Sequence, residues 1–134
     1  MKIVITGGCG YIGSHIARAF KTQDTANHVY IIDRERRDHT LVNIDGFLHQ
    51  DFTSKQSLMW ITELEPQIVV HCAGDILVNE SVADPAKYYD NNVSKTITLL
   101  SHLKTLKRIP AVLFSSSASV YGAPKEQPIT ESAN

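Results

Sequence analysis

The sequence predicts an α/β fold in which an open, doubly wound parallel sheet lies between two layers of helices. Short apolar runs rich in β-branched residues alternate along the chain with segments of helical periodicity, and a glycine-rich turn follows the first run. The runs lack polar residues at alternate positions, which is typical of parallel strands buried on both faces. Right-handed crossovers between such strands place helices on both faces of the sheet. The expected architecture is therefore a three-layer α/β/α unit.

Four stretches carry the strand pattern clearly, and a fifth carries it weakly. The clear ones are residues 3–5, 29–32, 67–71 and 111–114, and the weaker one is 46–50. These runs predict a sheet of about five strands.

Three helices are predicted between these strands. The first has one apolar face, formed by Ile12, Ile16, Ala19 and Phe20. A capping box from Thr53 to Gln56 predicts the start of the second helix, and Pro66 predicts its end. The buried stripe of this second helix is expected to be Leu58, Ile61 and Leu64. The third is a long helix over residues 85–107, with an apolar face formed by Tyr89, Val93, Ile97, Leu100 and Leu103.

Composition narrows the class of protein. A chain of 134 residues that is 43% hydrophobic and 20% charged suits one globular domain with a real core. Its net charge of −1 argues against nucleic acid or a membrane surface as a partner. The N-terminus lacks the long apolar core of a signal peptide, and Cys9 and Cys72 are expected to be free thiols, which favours a cytoplasmic protein. The six histidines have no ligand spacing, so no metal site is expected.

The segment TGGCGYIGSH predicts the kind of ligand that this fold binds. Gly7, Gly10 and Gly13 directly follow the first strand and open the first helix. In such a turn the first glycine permits the tight bend, the second lets a pyrophosphate approach the backbone, and the third lets the helix pack closely on the strand. The helix N-terminus then offers free N–H groups to the phosphates. The alternative is a glycine-rich turn without a ligand, but the strand before it and the helix after it favour a Rossmann-like dinucleotide-binding domain.

Asp33 predicts which dinucleotide binds. It ends the second strand, about 20 residues beyond the glycines, where a carboxylate accepts the adenosine ribose hydroxyls and repels a 2′-phosphate. NAD is therefore favoured over NADP. Arg34, Arg36 and Arg37 follow immediately and could favour a phosphate instead. We interpret them as a solvated basic loop, because Asp33 holds the position nearest the ribose.

Four segments together resemble one known family. They are TGGCGYIGSH, HCAG, ESVADPAKYYDNNV and FSSSASVYG. The combination resembles the N-terminal part of the UDP-glucose 4-epimerases, in the extended short-chain dehydrogenase/reductase family. The resemblance covers nearly the whole chain except residues 34–46, where such epimerases usually carry a longer segment. Sister nucleotide-sugar dehydratases typically carry Thr-Asp-Glu in the serine loop, whereas this chain has Ser117, Ala118 and Ser119.

The resemblance implies a set of NAD-binding residues. The pyrophosphate loop would comprise Gly7, Gly10, Tyr11, Ile12 and Gly13. Asp33 would bind the adenosine ribose, and Asp51 with Phe52 would hold the adenine. Near the nicotinamide, the resemblance places Cys72, Ala73, Gly74, Asn91 and Ser115. The other interpretation of the neighbouring pair Asn91 and Asn92 is a helix irregularity at the surface.

The resemblance also implies a reaction. In such epimerases a tyrosine takes the proton of the sugar 4-hydroxyl while hydride passes from C4 to NAD, and a lysine one helical turn later lowers the tyrosine pKa. Ser117 matches the catalytic serine that binds this hydroxyl. The Tyr-x-x-x-Lys pair and the C-terminal substrate domain are expected beyond Asn134, and Tyr121 belongs to a Val-Tyr-Gly that the family carries in addition. The resemblance therefore implies that residues 1–134 are an incomplete NAD-binding domain, with its sheet truncated after about the fifth strand, and that they are inactive in isolation.

Two departures and two alternatives accompany this hypothesis. Ile76 stands where the family usually has a lysine near the cofactor, and Lys95 stands where glycine is common. The chain could belong to a working epimerase, binding a UDP-sugar only with its remainder supplied. It could instead be a non-catalytic NAD-binding or interaction module, or a fragment of another nucleotide-sugar epimerase or dehydratase. The strand at 111–114 would lack its outer neighbour, so a homo-oligomer or a complementing fragment is also expected.

Overall fold

The computed structural model describes residues 1–41, 43–123 and 127–131. The last residues of the expected domain, 132–134, lie outside the described part of the chain. Within it, five parallel strands form one sheet: β1 (Lys2–Thr6), β2 (His28–Asp33), β3 (Gly46–His49), β4 (Ile68–His71) and β5 (Ala111–Phe114). Their order is β3-β2-β1-β4-β5. This is the predicted doubly wound, Rossmann-like arrangement, in which the order reverses beside β1.

Two apolar clusters fill the space on the two faces of the sheet. On one face, Ala17 and half-buried Ile16 and Phe20 of α1 (Tyr11–Gln23) pack against β1 and β2. On the other face, Ile61 of α2 (Lys55–Leu64) and Leu99 of α5 (Lys95–Leu103) pack against Val4, Ile32 and Val69. The three predicted layers are therefore confirmed.

The predicted apolar face of α1 is confirmed for Ile16 and Phe20 but is shifted by one position at Ile12 and Ala19. Gly13 and Ala17 are the buried residues of this helix, whereas Ile12 and Ala19 are exposed. The reason is the close approach of α1 to β1: a Cβ on Gly13 would lie 2.4 Å from the Gly7 carbonyl oxygen. The smallest side chains therefore form the contact line, and the larger apolar ones lie beside it.

The predicted capping box of α2 is also wrong by one residue. Ser54 is the N-cap, and its Oγ accepts a hydrogen bond from the Ser57 amide at 3.1 Å. Thr53 is unavailable for this role because its amide and hydroxyl both donate to Asp51 Oδ1. The end of the helix before Pro66 and its stripe of Leu58, Ile61 and Leu64 are confirmed.

The predicted long helix at 85–107 is interrupted and shorter. It consists of α4 (Pro85–Tyr89), a π-helical turn (Asp90–Ser94) and α5, and a short helix not predicted from the sequence, α3 (Val78–Ala83), precedes it. Single π turns in α-helices are frequent at functional sites. Its predicted apolar face is largely exposed, since of the five residues only Leu103 is buried.

β5 differs from the prediction in its burial. It pairs with β4 alone, and all four of its side chains are exposed, so it is an uncovered edge strand rather than a strand buried on both faces. The expectation that it lacks an outer neighbour is confirmed for the described residues. Among these residues there is also no helix long and apolar enough to cross a membrane.

Candidate functional site

The glycine turn joins β1 to α1 at the carboxyl edge of the sheet. Gly7 has a positive φ of 73°, and its amide donates to the Ile32 carbonyl of β2 at 2.9 Å. Gly10 is the N-cap of α1, and no side chain caps this helix end. The first amides of α1, in Tyr11, Ile12 and Gly13, are therefore the donors that a helix leaves for an external acceptor.

Gly8 belongs to the same turn and was not singled out by the sequence argument. A Cβ there would lie 2.5 Å from the Ile31 side chain, whereas a Cβ on Gly10 would meet only the Gly7 oxygen at 3.3 Å. Gly8 is thus required by packing, and Gly10 leaves open space above the turn. The only sequence signal for this packing role was that Gly8 is the second glycine of TGG. The G-x-x-G-x-x-G spacing does not include this position.

Asp33 holds the glycine turn directly. Its Oδ2 accepts the Cys9 amide at 2.8 Å, and its Oδ1 accepts the Glu35 amide at 2.9 Å. Each carboxylate oxygen has a second lone pair, so Asp33 can still accept hydrogen bonds from a ligand. The two signals found in the sequence, the glycines and the aspartate, are therefore parts of one hydrogen-bonded unit.

The arginines after Asp33 are each paired with a carboxylate. Arg36 bonds Asp38 at 2.8 Å, Arg37 bonds Glu35, and Arg34 bonds Asp75 at 3.0 Å. The first two pairs join exposed side chains within the loop, as expected of a solvated basic loop. Arg34 differs from them, because its partner lies beyond the end of β4.

Two adjoining cavities open over the carboxyl edge of the sheet. The Asp33 cavity, of about 540 Å³, is lined by the glycine turn, Asp33 and Phe52. The serine cavity, of about 660 Å³, is lined by the start of α1, His71 and residues 115–117. Both are of the size that small-molecule sites commonly have. They share a wall formed by Gly10, Tyr11, Cys72, Ala73, Gly74, Asp75 and Ile76. A ligand of two linked halves could therefore occupy both at the point where the strand order reverses.

His71 anchors the floor of the serine cavity. Its Nδ1 lies 2.6 Å from the Thr6 hydroxyl and its Nε2 lies 3.0 Å from the Thr96 hydroxyl. Burial lowers the pKa of His71, which favours the neutral ring. Beside it, burial raises the pKa of the Cys72 thiol despite a hydrogen bond with Ser115. Cys9 and Cys72 are both free, as predicted, and the Cys72 thiol stays protonated at neutral pH.

The serines after β5 line the serine cavity. The Ser115 amide donates to the His71 carbonyl at 3.0 Å, which continues the β4–β5 ladder into the loop. Ser117 caps a 3₁₀ turn, Ala118–Tyr121, and its Oγ accepts the Ser119 amide at 3.2 Å. Ser115, Ser116 and Ser117 thus lie together on one side of this cavity, across from the start of α1.

The two asparagines of the π turn have different environments. Asn91 is only 3% exposed, lines neither cavity, and its Oδ1 is buried without a hydrogen-bond partner among the described residues. Asn92 lines the serine cavity, accepts the Asp75 amide at 2.8 Å and donates to the Asp75 carbonyl at 2.9 Å. The burial of Asn91 excludes a simple surface irregularity, and Asn92 fixes the loop that follows β4.

Asp51 and Phe52, although adjacent in sequence, also have different environments. Phe52 is buried and lines the Asp33 cavity, with the neighbouring Gln50. Asp51 does not line it, because Oδ2 bonds Lys95 at 2.8 Å and Oδ1 accepts from Thr53. Burial alone would raise the Asp51 pKa, but the hydrogen bonds from Lys95 and Thr53 outweigh it and lower that pKa. Lys95, one of the two departures from the family pattern, therefore binds the Asp51 carboxylate, which the resemblance places at the adenine.

The other departure, Ile76, is 85% exposed and lines the shared wall of both cavities. It supplies no hydrogen-bonding side chain there. Among the described residues, no group of three or more histidines, cysteines, aspartates or glutamates could hold a metal ion. The polar groups of this site are backbone amides, hydroxyls, side-chain amides and carboxylates, together with His71, Arg34 and Arg37.

Comparisons with known proteins match this geometry. Residues 3–134 match the model of the NAD dependent epimerase/dehydratase family. The UDP-glucose 4-epimerase of Halalkalibacterium halodurans is 40% identical over 135 residues, which cover 98% of this chain and 39% of that protein. The solved UDP-glucose 4-epimerase from Brucella ovis, in complex with NAD, is 34% identical with a TM-score of 0.85, covering 97% of this chain and 40% of that one.

A second solved structure gives the same proportions. The UDP-glucose 4-epimerase from Bifidobacterium longum, in complex with NAD+ and UDP, is 32% identical with a TM-score of 0.81. The match covers 100% of this chain and 42% of that one. The chain therefore spans about two fifths of the length of the relatives it matches.

Proposed function

Because the chain belongs to the NAD dependent epimerase/dehydratase family over residues 3–134, we propose that it is the NAD-binding portion of a nucleotide-sugar epimerase. The whole protein would interconvert UDP-glucose and UDP-galactose through a 4-keto sugar. The observation that carries the proposal is the hydrogen bond from the Cys9 amide to Asp33. It joins the phosphate-binding turn and the ribose-binding carboxylate into one unit that faces a single cavity.

The residues present fit a dinucleotide. The open space above Gly10 and the uncapped N-terminus of α1 suit a pyrophosphate. Asp33 would accept the adenosine ribose hydroxyls, and Phe52 would pack on the adenine. The proposed cofactor contacts comprise Gly7, Gly10, Tyr11, Ile12, Gly13, Asp33, Asp51, Phe52, Cys72, Ala73, Gly74, Asn91 and Ser115. Within this set, Asp51 and Asn91 would act from behind the cavity walls, since neither lines a cavity.

The serine cavity would receive the nicotinamide and the sugar. Bound NAD supplies the hydride acceptor for the sugar C4. Ser117 would donate or accept a hydrogen bond at the 4-hydroxyl, and Ser115 would orient the group beside it. The neutral His71 ring is bonded to Thr6 and Thr96 through its two nitrogens, and the His71 backbone carbonyl holds the loop after β5 by accepting the Ser115 amide. The Tyr-x-x-x-Lys pair would come from a helix about 25 residues beyond Ser117, and the rest of the substrate site from a C-terminal domain. The free thiols are compatible with our further proposal that the protein is cytoplasmic.

Cofactor choice provides the test of this proposal. In the variant Asp33→Asn an oxygen remains to accept the Cys9 amide, but the negative charge is lost. Compared with the parent chain, this variant should bind NAD more weakly and NADP more tightly. We expect the NAD-to-NADP affinity ratio to fall about tenfold. Calorimetry with each nucleotide measures the ratio.

The control is Asp38→Asn, which removes an exposed carboxylate that is paired with Arg36 and lines neither cavity. Its NAD-to-NADP ratio should equal that of the parent chain. If Asp33→Asn left the ratio unchanged, Asp33 would not be the ribose ligand.

The exposed edge of the sheet supports a further proposal about partners. Val112, Leu113 and Phe114 of β5 are all exposed, and no strand of the described residues pairs with the outer edge of β5. In the relatives, about three fifths of the protein lies outside the segment that matches this chain. We propose that such a complementing segment covers β5. Without it, separate copies of residues 1–134 would associate with one another through β5.

Light scattering across a dilution series tests the association. Residues 1–134 should show a mass that falls on dilution, and Leu113→Lys should remain monomeric because a charge at the edge opposes pairing. Met59→Lys, at an equally exposed apolar residue of α2, is the matched control and should associate like the parent chain. A parent chain that stays monomeric at high concentration would refute the proposal.

A further inference from the structure

The loop after β4 contains a carboxylate with one unused oxygen. Asp75 has a side chain that is 15% exposed, and its Oδ2 is buried without a hydrogen-bond partner among the described residues. A buried carboxylate oxygen that has lost its water without gaining a donor carries an energetic cost. Such an atom calls for a donor that the described residues do not supply, and Asp75 is a residue that lines both cavities.

The position of Asp75 is fixed from two directions. Both of its backbone polar groups bond the Asn92 side chain, at 2.8 and 2.9 Å, which ties the loop to the π turn. Its Oδ1 accepts from Arg34 at 3.0 Å, and Arg34 follows Asp33 at the end of β2. The carboxylate is therefore held between the ends of β2 and β4, and only Oδ2 remains for another group.

The surroundings of Asp75 define the chemistry of its ligand. Asp75 lies in the wall shared by the Asp33 cavity and the serine cavity, beside Gly74 and Ile76. A carboxylate oxygen without a partner needs a hydrogen-bond donor. The donors of a dinucleotide are its ribose hydroxyls, the adenine amino group and the nicotinamide carboxamide, and of these the ribose hydroxyls are the usual partners of an acidic side chain. The charge of Arg34 offsets that of Asp75, so the pair does not add net repulsion toward a pyrophosphate.

We infer that Asp75 is a cofactor-positioning residue whose Oδ2 accepts a hydrogen bond from a ribose hydroxyl of the bound dinucleotide, while Arg34 and Asn92 hold it in place. The inference rests on the proposed function for the presence of the dinucleotide. It assigns to Asp75 a contact that the neighbouring Ile76 side chain cannot make.

Binding of ADP, ADP-ribose and NAD to two variants tests the inference. Asp75→Leu removes the acceptor and keeps the branched shape of the side chain, and we expect ADP-ribose and NAD to bind about tenfold more weakly. Asp75→Asn keeps one acceptor oxygen for two donors, Arg34 and the ribose, so we expect a partial loss of about threefold. If ADP binds to Asp75→Leu as it does to the parent chain, the contact is with the ribose of the nicotinamide half. If ADP weakens as well, the contact is with the adenosine ribose.

Controls separate this inference from folding and from the proposed function. Asp38→Leu removes an exposed carboxylate that is also paired with an arginine, and its affinity for all three nucleotides should match that of the parent chain. Should Asp75→Leu fail to fold by circular dichroism, the threefold loss in Asp75→Asn carries the test. ADP-ribose and NAD binding unchanged in every folded Asp75 variant would overturn the inference. A parent chain that binds no nucleotide would instead overturn the proposed function.

Discussion

Replacing Gly13 by alanine is expected to abolish NAD binding and to lower the free energy of unfolding by about 1–3 kcal/mol. The new Cβ would lie 2.4 Å from the Gly7 carbonyl oxygen and 2.8 Å from the Gly8 Cα, and both are backbone atoms that cannot rotate away. The start of α1 must then move off β1, which displaces the amides that face the pyrophosphate. Thermal and urea unfolding measure the stability, and calorimetry measures the binding.

The matched control is Gly10→Ala in the same turn. Its Cβ would meet only the Gly7 oxygen at 3.3 Å, so the fold should tolerate it with little loss of stability. The methyl group would nevertheless enter the space proposed for the pyrophosphate, and NAD should bind at least tenfold more weakly. Equal NAD affinity in Gly10→Ala and the parent chain would contradict the placement of the pyrophosphate over this glycine.

Residues 1–134 by themselves are expected to leave UDP-galactose unchanged when NAD is supplied. General acid–base catalysis contributes about 10² to 10⁴ in rate, and the proposed base belongs to a segment beyond the two fifths of the relatives that this chain matches. Tyr121 does not replace it, because it lies in the 3₁₀ turn after the serines and lines neither cavity. A coupled assay for UDP-glucose, calibrated with a complete UDP-glucose 4-epimerase, measures the rate.

Turnover that increases with the concentration of residues 1–134 and disappears in Ser117→Ala would contradict this expectation. It would mean that the described serine cavity holds a complete catalytic set. The same assay with NAD omitted controls for contaminating enzyme carrying its own cofactor.

The sheet could be predicted from sequence because its signal is local. Parallel strands buried on both faces need runs such as Ile3 to Ile5, and the crossover rule then fixes the layers. The burial of β5 could not be predicted in this way, because its apolar run is the same whether a neighbour covers it or not. The face of α1 was misplaced by one residue because backbone proximity at Gly13, and not side-chain size, decides which residues contact β1.

Site residues could be predicted from sequence at positions where the local geometry calls for one particular residue type. Gly7 has the positive φ that glycine favours, and Asp33 stands at the end of the strand where a ribose ligand is needed. The remaining contacts depend on pairs distant in sequence. Lys95 bonds Asp51 across 44 positions, and Arg34 bonds Asp75 across 41. Nothing in the spacing of these residues indicates that they meet, so the unused oxygen of Asp75 became visible only in the structure.

The most direct test of the account is a titration of ¹⁵N-labelled residues 1–134 with NAD, followed by amide chemical shifts in solution. The account predicts saturable shifts at Cys9, Gly10 and Tyr11, at the residues around Asp33, and at Gly74. The groove between β3 and α2, which includes Trp60, should remain unchanged and serves as an internal control. A folded chain with no saturable shifts, or with shifts confined to that groove, would contradict the proposal that NAD binds along the glycine turn.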